Sequence, residues 1–305
     1  MDKNHKIFAK RYNRPDKISI GKESTRQQVS KEFRPFITQV KEKLAKQNRE
    51  ICLFTEALSD STDASVVLCL LGECLKRKGP EKELCFVFNK RSQLVRQAGD
   101  LCFPGGGIVH HIDSIAAKFL GLPFSPLGRW PYWKEWRTRR RVEAGRLSLL
   151  LATGLRESLE EMRLNPFRAE FLGPMPVQEL QPFQKFLYPM VVWIRNQKRF
   201  IPNREVEKVV SIPVNDFLKP EKYVRFQMRF ESYQGSLDEV VQEYPGFLHE
   251  DDEDSEVLWG LTYRIVMMIL EILFGFTPPD FNSLKSVEGM RGKNYFNSAP
   301  RKTIK

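Results

Sequence analysis

The 305-residue chain has few cysteines and few histidines, and their spacing does not fit a zinc site. It contains five cysteines and four histidines, with no Cys-x-x-Cys pair and no histidine at zinc-finger spacing from a cysteine. Most of the cysteines lie in apolar runs, where a free thiol behaves as a small core residue. An odd number of buried thiols indicates a reducing compartment. The cysteines are Cys52, Cys69, Cys74, Cys85 and Cys102.

The sequence also has no recognisable secretory signal and no long hydrophobic run. The first 30 residues carry scattered charges and no apolar stretch of the kind that a signal peptide has. The most apolar stretch near the C-terminus, from Val257 to Phe276, is interrupted by Arg264 and Glu271. It is too short and too charged for a membrane span. We therefore expect a soluble, cytoplasmic protein.

Composition is typical of a globular protein with an excess of positive charge. Hydrophobic residues make up 41% and charged residues 29%, enough to bury a core in one large domain with insertions or in two smaller ones. The formal net charge is +11. This charge indicates a polyanionic partner, and leaves open phosphorylated small molecules, nucleic acid and anionic membrane surfaces.

Hydrophobic periodicity predicts a mixed α/β sandwich. A basic arm over residues 1–26 precedes an amphipathic helix over 27–50, a main domain over 51–280 and a basic, disordered tail over 281–305. Strands are predicted at 64–71, 83–89, 100–104, 186–195 and 207–212, and helices at 147–164 and 257–274. The first helix is expected to pack on the main domain, although it has the pattern of a partner-binding helix as well.

Three carboxylates share one face of the helix predicted at 147–164. Glu157, Glu160 and Glu161 stand at positions i, i+3 and i+4, so their side chains project from the same side. Adjacent carboxylates repel one another unless a cation lies between them, and hard oxygen ligands suit Mg²⁺ or Mn²⁺. The alternative is a solvated acidic stripe, which is common on helices.

A glycine-rich segment upstream favours the metal site. Residues 103–107, Phe-Pro-Gly-Gly-Gly, place glycines at a strand end, where a backbone can approach a metal or phosphate closely. Together with Arg156, Glu157, Glu160 and Glu161, the glycine Gly106 resembles the Nudix box, G-x5-E-x7-R-E-U-x-E-E-x-G-U with U aliphatic.

Further fragments resemble one Nudix branch, the coenzyme A pyrophosphatases. Residues 89–106 are similar to its R-S-x-x-L-R-x-x-x-G-x-x-x-F-P-G-G signature, and residues 152–157 to its A-T-A-L-R-E. Segments at 202–206, 212–214 and 259–262 also match in order. The resemblance covers roughly residues 64–276, apart from an insertion.

The resemblance implies an α/β/α sandwich that hydrolyses a nucleoside diphosphate derivative, with 3′,5′-ADP and 4′-phosphopantetheine as the products from coenzyme A. Metals held by Glu157, Glu160 and Glu161 would activate a water, and Glu160 or Glu205 would take its proton. Other residues are expected to assist. Arg91 and Arg96 would pair with substrate phosphates, Gly105 and Gly106 would line the substrate site, and Arg156 would belong to the catalytic set. Ordinary surface charge remains the alternative for Arg91 and Arg96.

Three positions depart from the Nudix box. Ser148 stands eight residues before Arg156, where the box has glutamate, and Glu143 is a candidate replacement at a different spacing. Arg163 stands where the box has a glycine, so a left-handed conformation there would cost about 1 kcal/mol. Ser158 replaces an aliphatic residue that packs inward.

The largest departure is an insertion of some 30 residues at about 114–145. Its segment 129–141 interleaves tryptophans with arginines, a pattern that could contact nucleic acid or an anionic membrane. The favoured alternative is a subdomain or lid whose tryptophans pack on the body. The competing functions are Nudix hydrolysis of another nucleotide and a binding protein on a Nudix scaffold. His110 and His111 beside Asp113 are expected to be polar loop residues, and the acidic residues 250–254 a solvated loop.

Overall fold

The computed structural model describes residues 33–50, 64–75, 81–180, 185–197, 199–230, 241–251, 254–291 and 295. The predicted arm over 1–26, the start of the predicted first helix and Cys52 lie outside these residues. The boundaries predicted for the domains therefore stay predictions. Cys69, Cys74, Cys85 and Cys102 carry free thiols.

The described chain contains six α-helices and twelve strands. The helices are α1 (Arg34–Glu50), α2 (His110–Phe119), α3 (Trp133–Arg139), α4 (Arg141–Met162), α5 (Val214–Phe217) and α6 (Gly260–Phe274). The strands are β1 (Ala64–Leu75), β2 (Lys82–Arg91), β3 (Leu101–Cys102), β4 (Gly105–Gly107), β5 (Ala169–Pro174), β6 (Gln178–Leu180), β7 (Lys185–Ile194), β8 (Val206–Pro213), β9 (Tyr223–Phe230), β10 (Val241–Glu250), β11 (Ser255–Trp259) and β12 (Lys285–Arg291).

Two sheets organise these strands. The larger sheet runs in the order β3-β2-β1-β7-β5, while β4 pairs with β1, β6 with β7 and β8 with β2. It is mixed, because β1 and β7 are parallel and β1 and β2 are antiparallel. The smaller sheet runs β11-β10-β9-β12, with β12 parallel to β9.

Side chains alternate between the two faces of the larger sheet, so each face builds its own core. On β1, Cys69 and Leu71 enter a core that also contains residues of α1 and α6. Leu68 and Leu70 enter a second core that contains residues of α4 and the tryptophans of the insertion. Helices therefore cover both faces, which confirms the predicted α/β/α sandwich with a mixed sheet and an additional N-terminal helix. No helix in the described ranges is long and apolar enough to cross a membrane.

The helix that carries the three glutamates is longer than predicted. It begins at Arg141 rather than Leu147, so its first turn uses residues that were assigned to the insertion. It ends at Met162, two residues before the predicted end, because Arg163 adopts a left-handed conformation with φ 58°. The N–H of Arg163 donates to Leu159 O at 3.1 Å, and the N–H of Leu164 donates to Ser158 O at 3.2 Å. These bonds satisfy carbonyls at the helix end.

Several expectations at the C-terminal side were wrong. The tail was expected to be disordered, but Lys285–Arg291 forms β12, whose backbone pairs with β9. The last helix begins at Gly260 rather than Val257, because residues 255–259 form β11. The expected acidic loop at 250–254 lies partly outside the described residues; Glu250 ends β10, and Asp254 is exposed and pairs with Lys208.

The segment around His110 also differs from the prediction. His110 and His111 begin α2 instead of lying in a loop, although both side chains are exposed. The insertion contains most of α2, the turns that follow it and α3. Its tryptophans are buried, as the favoured interpretation required: Trp130, Trp133 and Trp136 are at most 9% exposed. The indole Nε1 of Trp130 donates to Leu172 O on β5 at 3.1 Å, which fixes the insertion to the sheet.

Candidate functional site

Two of the three predicted carboxylates meet the glycine segment. Glu157 lies so close to Gly106 that a Cβ at that glycine would stand 2.4 Å from Glu157 Oε1. Glu161, one helical turn further along α4, accepts a hydrogen bond from the backbone of Gly105. The end of α4 and β4 therefore form one site, and the i and i+4 carboxylates face it together.

Glycine is required at both positions because the backbones approach closely. Gly105 and Gly106 pair with Val67 and Val66 of β1 in the antiparallel register. A Cβ at Gly105 would stand 2.1 Å from Val66 O, well inside any permitted contact. At the neighbouring Gly107, a Cβ would meet nothing within 4 Å. The two glycines that were predicted to line the substrate site thus bring β4 against both the sheet and the carboxylates.

The surroundings of Glu161 disfavour its charge. Burial and the nearby carboxylate of Glu157 raise the pKa of Glu161 to about 8, although hydrogen bonds from Asn89 and Gly105 and the charge of Arg91 oppose the rise. Asn89 Nδ2 donates to Glu161 Oε2 at 2.7 Å. Burial also raises the pKa of Glu157, and Arg156 opposes this effect. A cation between the two carboxylates would favour their charged forms.

Arg156 is held by a carboxylate that lies far away in sequence. Its Nε lies 2.8 Å from Asp113 Oδ1 and its Nη2 lies 3.2 Å from Asp113 Oδ2. Arg156 Nη1 donates to Glu157 Oε1 at 2.9 Å, and Nη2 donates to Gly107 O at 3.0 Å. The guanidinium therefore connects α2, β4 and the first site carboxylate.

Asp113 is fully buried and makes further bonds with its carboxylate. Its Oδ2 accepts from Val109 N at 2.7 Å and from Thr153 Oγ1 at 2.8 Å. Burial alone would raise its pKa, but the bonds from Arg156, Val109 and Thr153 together lower the pKa of Asp113 below its usual value. The two-point contact with Asp113 holds Arg156 in place.

This pairing corrects the expectation about the missing glutamate. Ser148 does not take the place of the glutamate as a partner of Arg156. Its hydroxyl donates to Ala144 O at 2.9 Å, within α4. Glu143, the suggested replacement, pairs with Arg140 instead. The sequence carried a signal that was missed: five residues separate Gly107 from Asp113, the same spacing as G-x5-E in the box. The insertion lies after that acid and displaced it from the expected distance to Arg156.

Glu160 is placed differently from the other two carboxylates. Its side chain is 55% exposed, and Oε1 lies 3.5 Å from Arg156 Nη1. In this conformation it faces the guanidinium at the edge of the site. Within the described residues, no three His, Cys, Asp or Glu side chains are gathered closely enough to hold a metal ion.

Donor atoms suited to a hard cation nevertheless converge around Glu161. Glu157 and Glu161 supply carboxylate oxygens. Asn89, whose side chain donates to Glu161, has a buried Oδ1 with no hydrogen-bond partner among the described residues. A buried amide oxygen without a partner is costly unless something else satisfies it. Carboxylate and amide oxygens are ligand types that suit Mg²⁺ or Mn²⁺, so the chemistry of these side chains is compatible with the predicted metal. Sequence reasoning missed Asn89, because nothing in its position on a strand distinguishes it.

The structure brings one predicted phosphate ligand to the site. Arg91, at the end of β2, donates from Nε to Arg96 O at 2.7 Å, and its positive charge opposes the rise in the pKa of Glu161. Arg96 lies in the following turn with an exposed side chain. Its backbone therefore orients Arg91.

Glu205 lies on the loop before β8, beside the end of α4. Asn203 N donates to Glu161 O at 2.8 Å, and Ser92 N donates to Glu205 O at 2.9 Å. These bonds join the loop to both the helix and the arginine-bearing turn. The Glu205 side chain is exposed, and these contacts involve its backbone. Its predicted role as a proton acceptor stays a prediction.

Ser158 keeps the inward position of the aliphatic residue that it replaces. Its side chain is fully buried, and its hydroxyl donates to Gly154 O at 2.7 Å. A buried hydroxyl with an intrahelical partner avoids the cost of an unsatisfied group. This departure leaves the orientation of α4 unchanged.

Comparisons with known proteins give similarity to Nudix structures. No protein-family model matches the chain. The MutT/nudix family protein from Enterococcus faecalis shares 11% identity over 76% of this chain and 74% of its own, with a TM-score of 0.34. The NUDIX domain of Shewanella oneidensis NrtR, complexed with ADP ribose, shares 14% over 57% and 85%, with a TM-score of 0.31. The C. elegans Ap4A hydrolase shares 12% over 50% and 83%, with a TM-score of 0.30. Similarity at this level establishes neither the family nor the activity of the chain.

Proposed function

We propose that the chain is a metal-dependent Nudix hydrolase that cleaves the diphosphate linkage of a nucleoside diphosphate derivative. The observation that carries the proposal is the convergence of Glu157 and Glu161 on the Gly105–Gly106 segment. Two carboxylates on one helix face are common, but here they lie together, half-buried, against a backbone that only glycine allows. A cation there would offset their repulsion.

The residues of the site have different proposed roles. Glu157 and Glu161, with Glu160 after a change of side-chain rotamer, would hold the metal, and the buried amide of Asn89 supports Glu161. Mg²⁺ or Mn²⁺ held there would neutralise diphosphate charge and lower the pKa of a water. Glu160 or Glu205 accepts the proton of the attacking water.

Three arginines around this centre bind the substrate or position another site residue. Arg91 and Arg96 bind the substrate phosphates through guanidinium groups, which match phosphate oxygens geometrically. Arg156 is a positioning residue, since it touches Glu157 and is itself fixed by Asp113. The backbone of Gly105 and Gly106 lines the place where the diphosphate lies.

We propose coenzyme A or an acyl-coenzyme A as the substrate, with 3′,5′-ADP and 4′-phosphopantetheine, or its acyl form, as products. Support comes from the resemblance of residues 89–106 to the coenzyme A pyrophosphatase signature and from the position of Arg91 beside the carboxylates. A cytoplasmic location accords with this substrate and stays a prediction.

A substrate panel tests the proposal. Purified protein is incubated with Mg²⁺ or Mn²⁺ and coenzyme A, NADH, ADP-ribose, dinucleoside polyphosphates or capped RNA, and products are separated by chromatography. We expect coenzyme A to give 3′,5′-ADP and the Glu161→Gln variant to be inactive. Hydrolysis of another member of the panel, but not of coenzyme A, would overturn the proposed substrate and leave the proposed reaction class standing. No hydrolysis of any member would overturn the proposed activity.

A further inference from the structure

Helix α2 presents an apolar face to solvent. Ile112, Ile115 and Phe119 recur at three- and four-residue spacing and so form one stripe. Leu122 continues it, because its N–H donates to Phe119 O in the turn that follows the helix. Phe124 lies two residues further. These five residues, which we name the outer apolar patch, are between 38% and 61% exposed.

The patch cannot turn inward, because the opposite face of α2 is anchored. Asp113 on that face is fully buried and bonds to Arg156 and Thr153 of α4. Leu120 on the same face enters the core beneath the sheet. Turning the apolar side chains toward α4 would break a buried ion pair, which costs several kcal/mol. The helix is thus held with its hydrophobic side outward.

The surroundings of the patch carry positive charge. Lys118 lies three residues after Ile115 and flanks the stripe on one side. Residues 114–145 contain seven lysines or arginines and only two acidic residues. Both of those acids are paired with arginines, Glu135 with Arg139 and Glu143 with Arg140.

The basic segment lies next to the patch. Gly121, between Phe119 and Leu122, lies against the indole of Trp133, so a Cβ there would stand 3.2 Å from Nε1. Lys134 follows that tryptophan and is exposed, as are Arg137 and Arg139. Apolar residues and cations therefore occupy the same part of the surface.

This combination fits lipid better than nucleic acid. The tryptophans that are interleaved with arginines, Trp130, Trp133 and Trp136, are buried in the core and do not offer a stacking surface. The exposed residues are three aliphatic side chains and two phenylalanines in one continuous stripe, and acyl chains solvate such a stripe while anionic headgroups attract the cations. We propose that the outer apolar patch docks on an anionic membrane surface, with α2 lying in the plane of the interface.

Vesicle flotation with the full chain tests this proposal. Vesicles of phosphatidylcholine alone are compared with vesicles that also contain phosphatidylglycerol, at low and high salt. We expect binding to the anionic vesicles that weakens as salt rises. The double variant Ile115→Ser, Phe119→Ser should bind roughly tenfold more weakly or worse, because two apolar side chains leave the acyl region. Lys118→Glu should weaken binding at least about fivefold.

Leu75→Ser provides the matched control, since Leu75 is 67% exposed on β1 and lies outside the patch. It should bind as the wild type does. Equal binding to both vesicle types, or unchanged binding of the double variant, would overturn the proposal. So would concentration-dependent self-association that the double variant abolishes, because the patch would then join two copies. Glu161→Gln should still float with vesicles, which separates this test from that of the hydrolase.

Discussion

Asp113 and Arg156 form a two-point ion pair across 43 residues of sequence, with Nε–Oδ1 and Nη2–Oδ2 distances of 2.8 and 3.2 Å. Asp113 is fully buried, and the side chain of Arg156 is 14% exposed. The pair connects the start of the insertion to the helix that carries the site carboxylates. It therefore links the stability of the fold to the geometry of the site.

Asp113→Asn should destabilise the protein and impair hydrolysis together. The change removes the buried charged partner of Arg156, which keeps its contact with Glu157, at a cost of about 2–4 kcal/mol. Urea unfolding measures the loss, and steady-state kinetics should show a lower kcat because Arg156 no longer fixes Glu157. Ser148→Ala is the control, since its hydroxyl bonds only within α4. If Ser148→Ala lowered the free energy of unfolding or kcat more than Asp113→Asn does, Asp113 would not be the residue that holds Arg156.

Gly106→Ala should abolish activity, whereas Gly107→Ala should preserve it. The new methyl group at Gly106 would stand 2.4 Å from Glu157 Oε1 and displace that carboxylate. At Gly107 the methyl group has open space. The two variants add the same atom to adjacent residues, so kcat/KM for the hydrolysed substrate should fall by a factor of about 100 or more only for the first. Equal kinetics in the two variants would contradict the close contact.

The metal-free protein should lose stability as the pH rises from about 4.5 to about 8. The pKa of Glu161 is raised from 4.5 to about 8 on folding, so between these values the folded state binds more protons than the unfolded state. Stability from this group therefore decreases as pH increases across that range. Urea unfolding with a chelator at pH 5.5 and 8.5 measures the effect. Glu161→Gln should reduce the pH dependence of the free energy of unfolding. Glu160→Gln, at an exposed position, should retain that dependence.

The insertion should behave as part of the core. Trp130 packs against Phe171 with ring centroids 5.1 Å apart and bonds to Leu172 O. Trp130→Ala should lower the free energy of unfolding by about 3–5 kcal/mol, because it leaves a large cavity. Trp130→Phe keeps the ring contacts and should lose less. A variant Trp130→Ala that unfolds at the wild-type urea concentration would show that the insertion is a loosely attached lid.

The sequence predicted the parts of the site that local spacing determines. The three glutamates lie on one helix and the glycines on the facing strand because these patterns depend on neighbouring residues. The separation of Glu160 from the other two was not predictable, because its exposed side chain lies 3.5 Å from Arg156, whose own position depends on the distant Asp113. Asn89 and Asp113 themselves become site residues only when the sheet and the insertion fold together.

The strands of the smaller sheet were likewise not predicted from the sequence. Residues 223–230 alternate large apolar residues with Arg225, Gln227 and Arg229, yet they were not identified as a strand. Residues 241–250 contain Pro245 and Gly246, which weaken a strand pattern. The tail was expected to be disordered from its composition, but β12 is held by backbone pairing with β9. Backbone pairing between distant segments leaves little trace in composition.

The claim that Glu157 and Glu161 form a divalent metal site is tested most directly by titrating the chelated, metal-free protein with Mn²⁺ and measuring bound ion by electron paramagnetic resonance. The wild-type chain should bind Mn²⁺, and both Glu157→Gln and Glu161→Gln should lose that binding. Glu135→Gln, which alters a glutamate paired with Arg139 on α3, should bind as the wild type does. A wild-type chain that binds no Mn²⁺, or site variants that bind it unchanged, would contradict the account.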